Sequence, residues 1–141
     1  MNAKDYLRQA YYLDIRIKSD LDELSELKRM AYNLSSPSFE PNYNASHPTE
    51  APFVRGLERV VEMEEKINSE IDRLVELKEQ IRSVIDAVED SAEQLVLRYR
   101  YLHNYKWEQI GDILYADEST IRRWHRRALQ HVRVPDDYIR I

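Results

Sequence analysis

Apolar residues in the first third of the chain recur at helical spacing. Tyr6, Ala10, Leu13, Ile17, Leu24, Leu27, Ala31 and Leu34 fall on one stripe of a helix running from about Asn2 to Leu34, and Asp20 interrupts that stripe. A second stripe, Val60, Ile67, Leu74, Ile81 and Val88, repeats in heptads. Ile71 and Ile85 supply the interleaved position, which Glu64 and Lys78 break. This pattern predicts a second helix over roughly Phe53 to Val88. Between the two, Ser35 to Pro52 reads SSPSFEPNYNASHPTEAP, and its four prolines cannot continue a helix. The segment reads as a flexible connector, long against the usual span of roughly 4–6 residues. Phe39 and Tyr43 are the side chains in it that a partner would take. The connector lets two arms of roughly 50 Å each fold back antiparallel.

The pattern changes after Glu89 and Asp90. Ser91 or Asp90 caps a short third helix, AEQLVLRYRYL, with Leu95 or Val96, Tyr99 and Leu102 facing inward. His103 to Lys106 is a polar break. A fourth helix, WEQIGDILY, gathers Trp107, Ile110 and Leu114 on one face, and Gly111 leaves room for the next helix to come close. Tyr115, Ala116 and Asp117 form a turn, and the Asp117 carboxylate suits the N-cap of a fifth helix, STIRRWHRRALQHV, which stops before Pro135. At about 100° per residue, Ile121, Trp124, His125, Ala128 and Val132 share one side of it, with Leu129 at the edge. Ser119, Arg122, Arg123, Arg126, Arg127, Gln130 and Arg133 share the other. No segment alternates like a strand, so the expected fold is all-α: a long antiparallel helical hairpin over 1–89, with its Pro-rich loop at 35–52, followed by a three-helix helix-turn-helix domain over 90–141.

A lone two-helix hairpin buries little apolar surface. Its stripes gain by pairing with a second copy as a coiled-coil-like four-helix bundle, so a homodimer is expected, with Tyr11, Tyr12, Met30 and Met63 widening the contact. The chain has no cysteine, which excludes disulfides, thiol nucleophiles and cysteine zinc sites. No apolar run approaches a membrane span and no signal-peptide core stands at the N-terminus, so the expected location is the cytoplasm of a bacterial host. The net charge of −5 hides an asymmetry: residues 1–90 hold 12 basic against 19 acidic side chains, residues 91–141 hold 9 against 7. The stretch from Ser119 to Arg133 carries five arginines and no acid.

That stretch is the candidate site. An arginine fork meets the two acceptors of a guanine edge, or a phosphate, with two hydrogen bonds at once. Residues early in the fifth helix reach deepest, so Ser119, Arg122 and Arg123 are the base-reading candidates, Glu118 suits a cytosine amino group, and Thr120 is counted among the DNA-binding residues. Arg126, Arg127 and Lys106 are assigned to the backbone. An arginine-rich face seen alone is usually only solvated; here it follows a turn and helix of the right length. Trp107 and Trp124 read as core, not as base-stacking groups. His103, His125 and His131 lack metal-ligand spacing and His47 stands alone in the connector, so no metal and no cofactor is expected. No grouping of Ser, His and acid looks catalytic, and no enzymatic role is expected.

The segment LVLRYRYLHNYKWEQIGDILYADESTIRRWHRRALQHVR resembles the fourth conserved region of bacterial sigma factors, which reads promoter DNA. The resemblance is carried by LRYRYL, the W-E-Q-I-G run, Leu114, the E-S-T-I-R start and the R-R-A-L close. Asn104 and Tyr115 depart from it, standing where glycine is frequent. Nothing resembles the sigma region that opens promoter DNA. The whole chain is similar to small phage and prophage proteins of Gram-positive bacteria with a sigma-like C-terminus after a helical hairpin, including late-gene regulators of the ArpU type. The resemblance implies sequence-specific binding of double-stranded DNA by a transcription regulator, and contact with RNA polymerase is compatible with it. Two other readings are carried: a DNA-packaging protein like the terminase small subunit, which a ring of copies would mark, and an adaptor that engages polymerase and not DNA.

Overall fold

The computed structural model describes residues 1–35 and 50–141. Among these, all regular structure is helical: α1 (Ala3–Ser35), α2 (Glu50–Asp86), α3 (Ser91–Leu97), α4 (Trp107–Leu114) and α5 (Glu118–His131). A π-helical turn, Arg98–Leu102, extends α3. Because α2 starts at Glu50, Pro52 belongs to its first turn and not to the connector. The amides of a first turn have no intrahelical partner, so the missing proline N–H removes nothing there. Phe39, Tyr43, His47 and most of the Pro-rich segment lie outside the described residues.

Packing divides the described residues into two compact units, one of 1–15 with 72–141 and one of 16–71. The expected boundary between residues 89 and 90 falls inside the first of these.

In the unit of 16–71, Ile17, Leu24 and Ala31 of α1 are buried, as are Val60 and Ile67 of α2. Gly56 lets the arms come close: a methyl group added there would lie 3.3 Å from the Ala31 Cβ. Asp20 does not break the stripe by facing water. It is only 7% exposed, with Lys66 Nζ 3.6 Å from its carboxylate. Burial, and then the neighbouring Asp20, push the Glu70 carboxyl above the ordinary carboxylate range. Ile71, expected in the seam, is exposed.

The larger unit is built on a core of Tyr6, Leu7 and Ala10 from α1, Leu77, Ile81, Val84, Ile85 and Val88 from α2, and Leu97, Tyr101, Leu102 and Ala128 from the C-terminal third. α2 thus buries Leu77 and Val84 beside its predicted heptad, a broader stripe than a two-helix seam needs. After α5 the chain runs back along the base of the hairpin. Gln9 donates to the Ile139 carbonyl at 2.8 Å and accepts from the Ile141 amide at 2.9 Å. Gln80 Oε1 accepts from the Tyr6 hydroxyl at 2.8 Å and from the Ile139 amide at 3.0 Å. Val134, Tyr138 and Ile139 pack onto the same core. The last three helices, the first turns of α1 and the end of α2 therefore fold as one body.

Candidate nucleic-acid interface

Asp90 caps α3 by accepting from the Glu93 amide at 3.0 Å. The π-helical turn that follows is closed by a bond from the His103 amide to the Arg98 carbonyl, five residues back. This wider turn shifts the register by about one residue. Tyr101 and Leu102 point into the core, Tyr99 is half-buried and Leu95 is exposed, where helical spacing alone had put Leu95 or Val96, Tyr99 and Leu102 inside. Val96 is buried as expected.

α4 starts where Gln109 Oε1 accepts from the Lys106 amide at 2.9 Å. Val96, Ile110 and Ile121 form a second small core, with Trp107, Leu114 and Trp124 packed against it. Both tryptophans therefore serve packing. α4 ends at Tyr115 in the left-handed region, φ 54°, and Asn104 takes φ 58° at the preceding break. Both positions thus adopt the backbone conformation that glycine would supply. Gly111 has a reason of its own. A methyl group there would sit 2.6 Å from the Ala116 carbonyl oxygen, so what comes close is the turn's backbone, not the next helix.

Asp117 caps α5, accepting from the Thr120 amide at 2.8 Å and the Ser119 hydroxyl at 2.9 Å. Hydrogen bonds from Thr120 and then Ser119 hold its carboxyl below the usual range. Ile121, His125 and Ala128 are buried. His125 shares a 2.6 Å hydrogen bond with the Tyr101 hydroxyl and packs edge-on to Trp107, ring centres 4.6 Å apart. Burial first, then the positive charges of Arg100, Lys4 and Arg126, push its pKa down to about 4, so the ring is neutral near pH 7.

The predicted residues separate by what they touch. Ser119, Arg122, Arg123 and Arg126 are on the exposed face of α5, and Thr120 is half-buried at its cap. Glu118 is exposed beside them, its carboxylate paired with Arg122 at 2.7 Å. Arg127 is turned back to the protein, its Nε 2.9 Å from the Glu93 carboxylate, and His131 Nδ1 donates to the other oxygen at 2.7 Å. Glu93 is 1% exposed. A buried carboxylate needs such partners, which explains why this arginine differs from its neighbours.

Lys106, Arg122 and Arg126 line one cleft together with Lys4, Arg8 and Arg100. The last three were not predicted. Arg100 lies over the Trp107 ring, 4.2 Å from its centre, and donates to the Tyr105 carbonyl at 3.0 Å. Lys4 and Arg8 stand four apart on α1, a spacing visible in the sequence, but nothing local shows what they face. Among the described residues no His, Asp or Glu cluster is placed to hold a metal ion, and no helix is long and apolar enough to cross a membrane.

Comparison with known families agrees with this geometry. Residues 90–134 match the family described as Sigma-70, region 4, a DNA-binding helix-turn-helix domain and not a catalytic one. No curated protein and no solved structure matches the chain. The C-terminal third is therefore a sigma region-4-like helix-turn-helix following a long helical element.

His125 makes folding sensitive to mild acid. Its pKa is about 4 when folded against 6.5 for the free group, so the unfolded chain takes up this proton first as pH falls. The stability tied to the neutral ring is complete above pH 6.5 and is lost progressively toward pH 4. Urea midpoints are expected to fall through this window, and less steeply in a His125→Gln variant. Parallel profiles for the two proteins would contradict the assignment.

Proposed function

We propose that this protein is a sequence-specific double-stranded DNA-binding transcription regulator of the phage and prophage type, with α5 as the helix that enters the major groove. The observation carrying this reading is the division of α5. Ile121, His125 and Ala128 seat one side in the core, while Ser119, Arg122, Arg123 and Arg126 stand exposed on the other. A recognition helix needs both, since its N-terminal residues contact base edges only if its back is held. Arg122 and Arg123 read bases, and Arg126 and Lys106 hold phosphates. Arg127 is assigned to Glu93 and to the stability of the fold, not to the duplex.

We further propose that the long helices pair two copies, which sets two α5 helices on successive half-sites. Val54, Leu57, Val61 and Ile71 support this, as large apolar side chains of α2 that are exposed in the unit of 16–71. Tyr11, Tyr12 and Met30 are exposed as well, while Met63 is half-buried. Light scattering at tens of micromolar is expected to give twice the chain mass of 16.9 kDa. A monomer at that concentration contradicts the pairing.

DNA fragments selected by the wild-type protein supply the duplex for the main test. Arg122→Ala with Arg123→Ala is expected to remove sequence preference, a loss on the order of a hundredfold or more if each makes a base contact of roughly 1–3 kcal/mol. Arg127→Met is expected to lower the urea midpoint, by about 1–2 kcal/mol of stability for a half-exposed charged hydrogen bond, while affinity of the folded fraction changes little. Unchanged affinity in the double variant, measured by anisotropy, would defeat the groove assignment.

A further inference from the structure

The cleft between the start of α1 and the helix-turn-helix is lined by Lys4, Arg8, Arg100, Lys106, Arg122 and Arg126, has a volume of about 690 Å³, and among the described residues has no carboxylate in its wall. The six cations come from four separate places in the chain, so helix amphipathicity does not explain their meeting. Like charges held this close repel, which weakens folding. Two of them are also fixed in place. Arg100 is held on Trp107 and the Tyr105 carbonyl, and Arg8 donates to the Tyr12 hydroxyl at 2.7 Å. Arg122 pairs with an acid, Glu118. At the cleft floor, His125 experiences the charges of Lys4, Arg100 and Arg126 together. The first turn of α1, capped by Asn2 at 2.8 Å from the Asp5 amide, adds the positive end of a long helix to the same place.

Such a site is built for an anion, and its position selects the kind. Arg122 and Arg126 belong at once to the cleft and to the exposed face of α5. A duplex on that face brings its own backbone to the cleft. We propose that Lys4 and Arg8 complete a seat for a DNA backbone phosphate next to the bases read by α5, making the start of α1 part of the DNA-binding surface. This inference rests on the DNA-binding reading of α5. It assigns to the hairpin a second task besides pairing copies, and it concerns residues outside the 90–134 segment that matches the region-4 family. A phosphate contact carries no sequence information, so the seat strengthens binding to every duplex alike.

The test compares Lys4→Gln with Arg8→Gln, in one full-length chain, against wild type on a selected fragment and on an unrelated duplex across a salt series. Affinity is expected to fall about five- to tenfold on both duplexes, and the log–log salt slope to flatten by about 0.9, the value for one lost phosphate. Arg55→Gln with Arg82→Gln removes the same charge elsewhere on exposed positions, and is expected to stay within about twofold of wild type with an unaltered slope. Lys4→Gln alone, at an exposed position, keeps the test valid should the double variant unfold; it is expected to give about half the logarithmic effect. If the two Gln pairs behave alike, or if only the selected fragment loses affinity, the seat is overturned while the reading of α5 stands. If wild type retains neither duplex at low salt, both fall.

Discussion

A buried carboxylate sets the rotation of α5. Glu93 is 1% exposed and its two oxygens are taken by Arg127 and His131, which lie one helical turn apart on α5. Turning α5 by one residue would swing both donors away and leave the buried Glu93 carboxyl group without hydrogen-bond partners, which destabilises the fold. Ile121, His125 and Ala128 fix the same angle from the apolar side. With the rotation set, Arg122, Arg123 and Arg126 stand on the exposed side of α5, Arg122 and Arg126 at the rim of the cationic cleft. Asp117 then fixes where the helix begins, and the tight contact of Gly111 with the Ala116 carbonyl fixes the turn before it. The DNA-reading surface proposed here is the consequence of these constraints, all of which are internal to the protein.

The second constraint is size. A three-helix segment of some fifty residues has little core of its own. Here the shortfall is met by Tyr6, Leu7 and Ala10 of α1 and by Leu77, Ile81 and Val84 of α2, with the C-terminal residues clipped by Gln9 and Gln80. The helix-turn-helix is therefore continuous with the base of the hairpin. That continuity is what places Lys4 and Arg8 beside Arg100 and Lys106.

What could be read from the sequence was local. The two faces of α5, the Asp117 cap, the turn at 115–117 and the two long helices all follow from spacing and capping chemistry within a few residues. The π-helical turn was not readable, because inserting one extra residue per turn leaves no signature in RYRYL; Tyr101 took the inward place assigned to Tyr99. Arg127 resembles Arg126 in sequence, and only Glu93, thirty-four residues away, separates their roles. Asp20 looked like an interruption because its partner Lys66 lies on the other arm. The cationic cleft was missed for the same reason, since it draws on α1, the π turn, the break before α4 and α5.

The central claim is that α5 presents Arg122, Arg123 and Arg126 to DNA while Arg127 stays bound to Glu93. NMR of the arginine side-chain N–H groups during titration with a selected duplex tests it most directly. The account predicts large shifts for Arg122, Arg123 and Arg126, with Arg127 and the His131 ring unmoved. Shifts centred on Arg127, or an α5 untouched at saturating DNA, would contradict it.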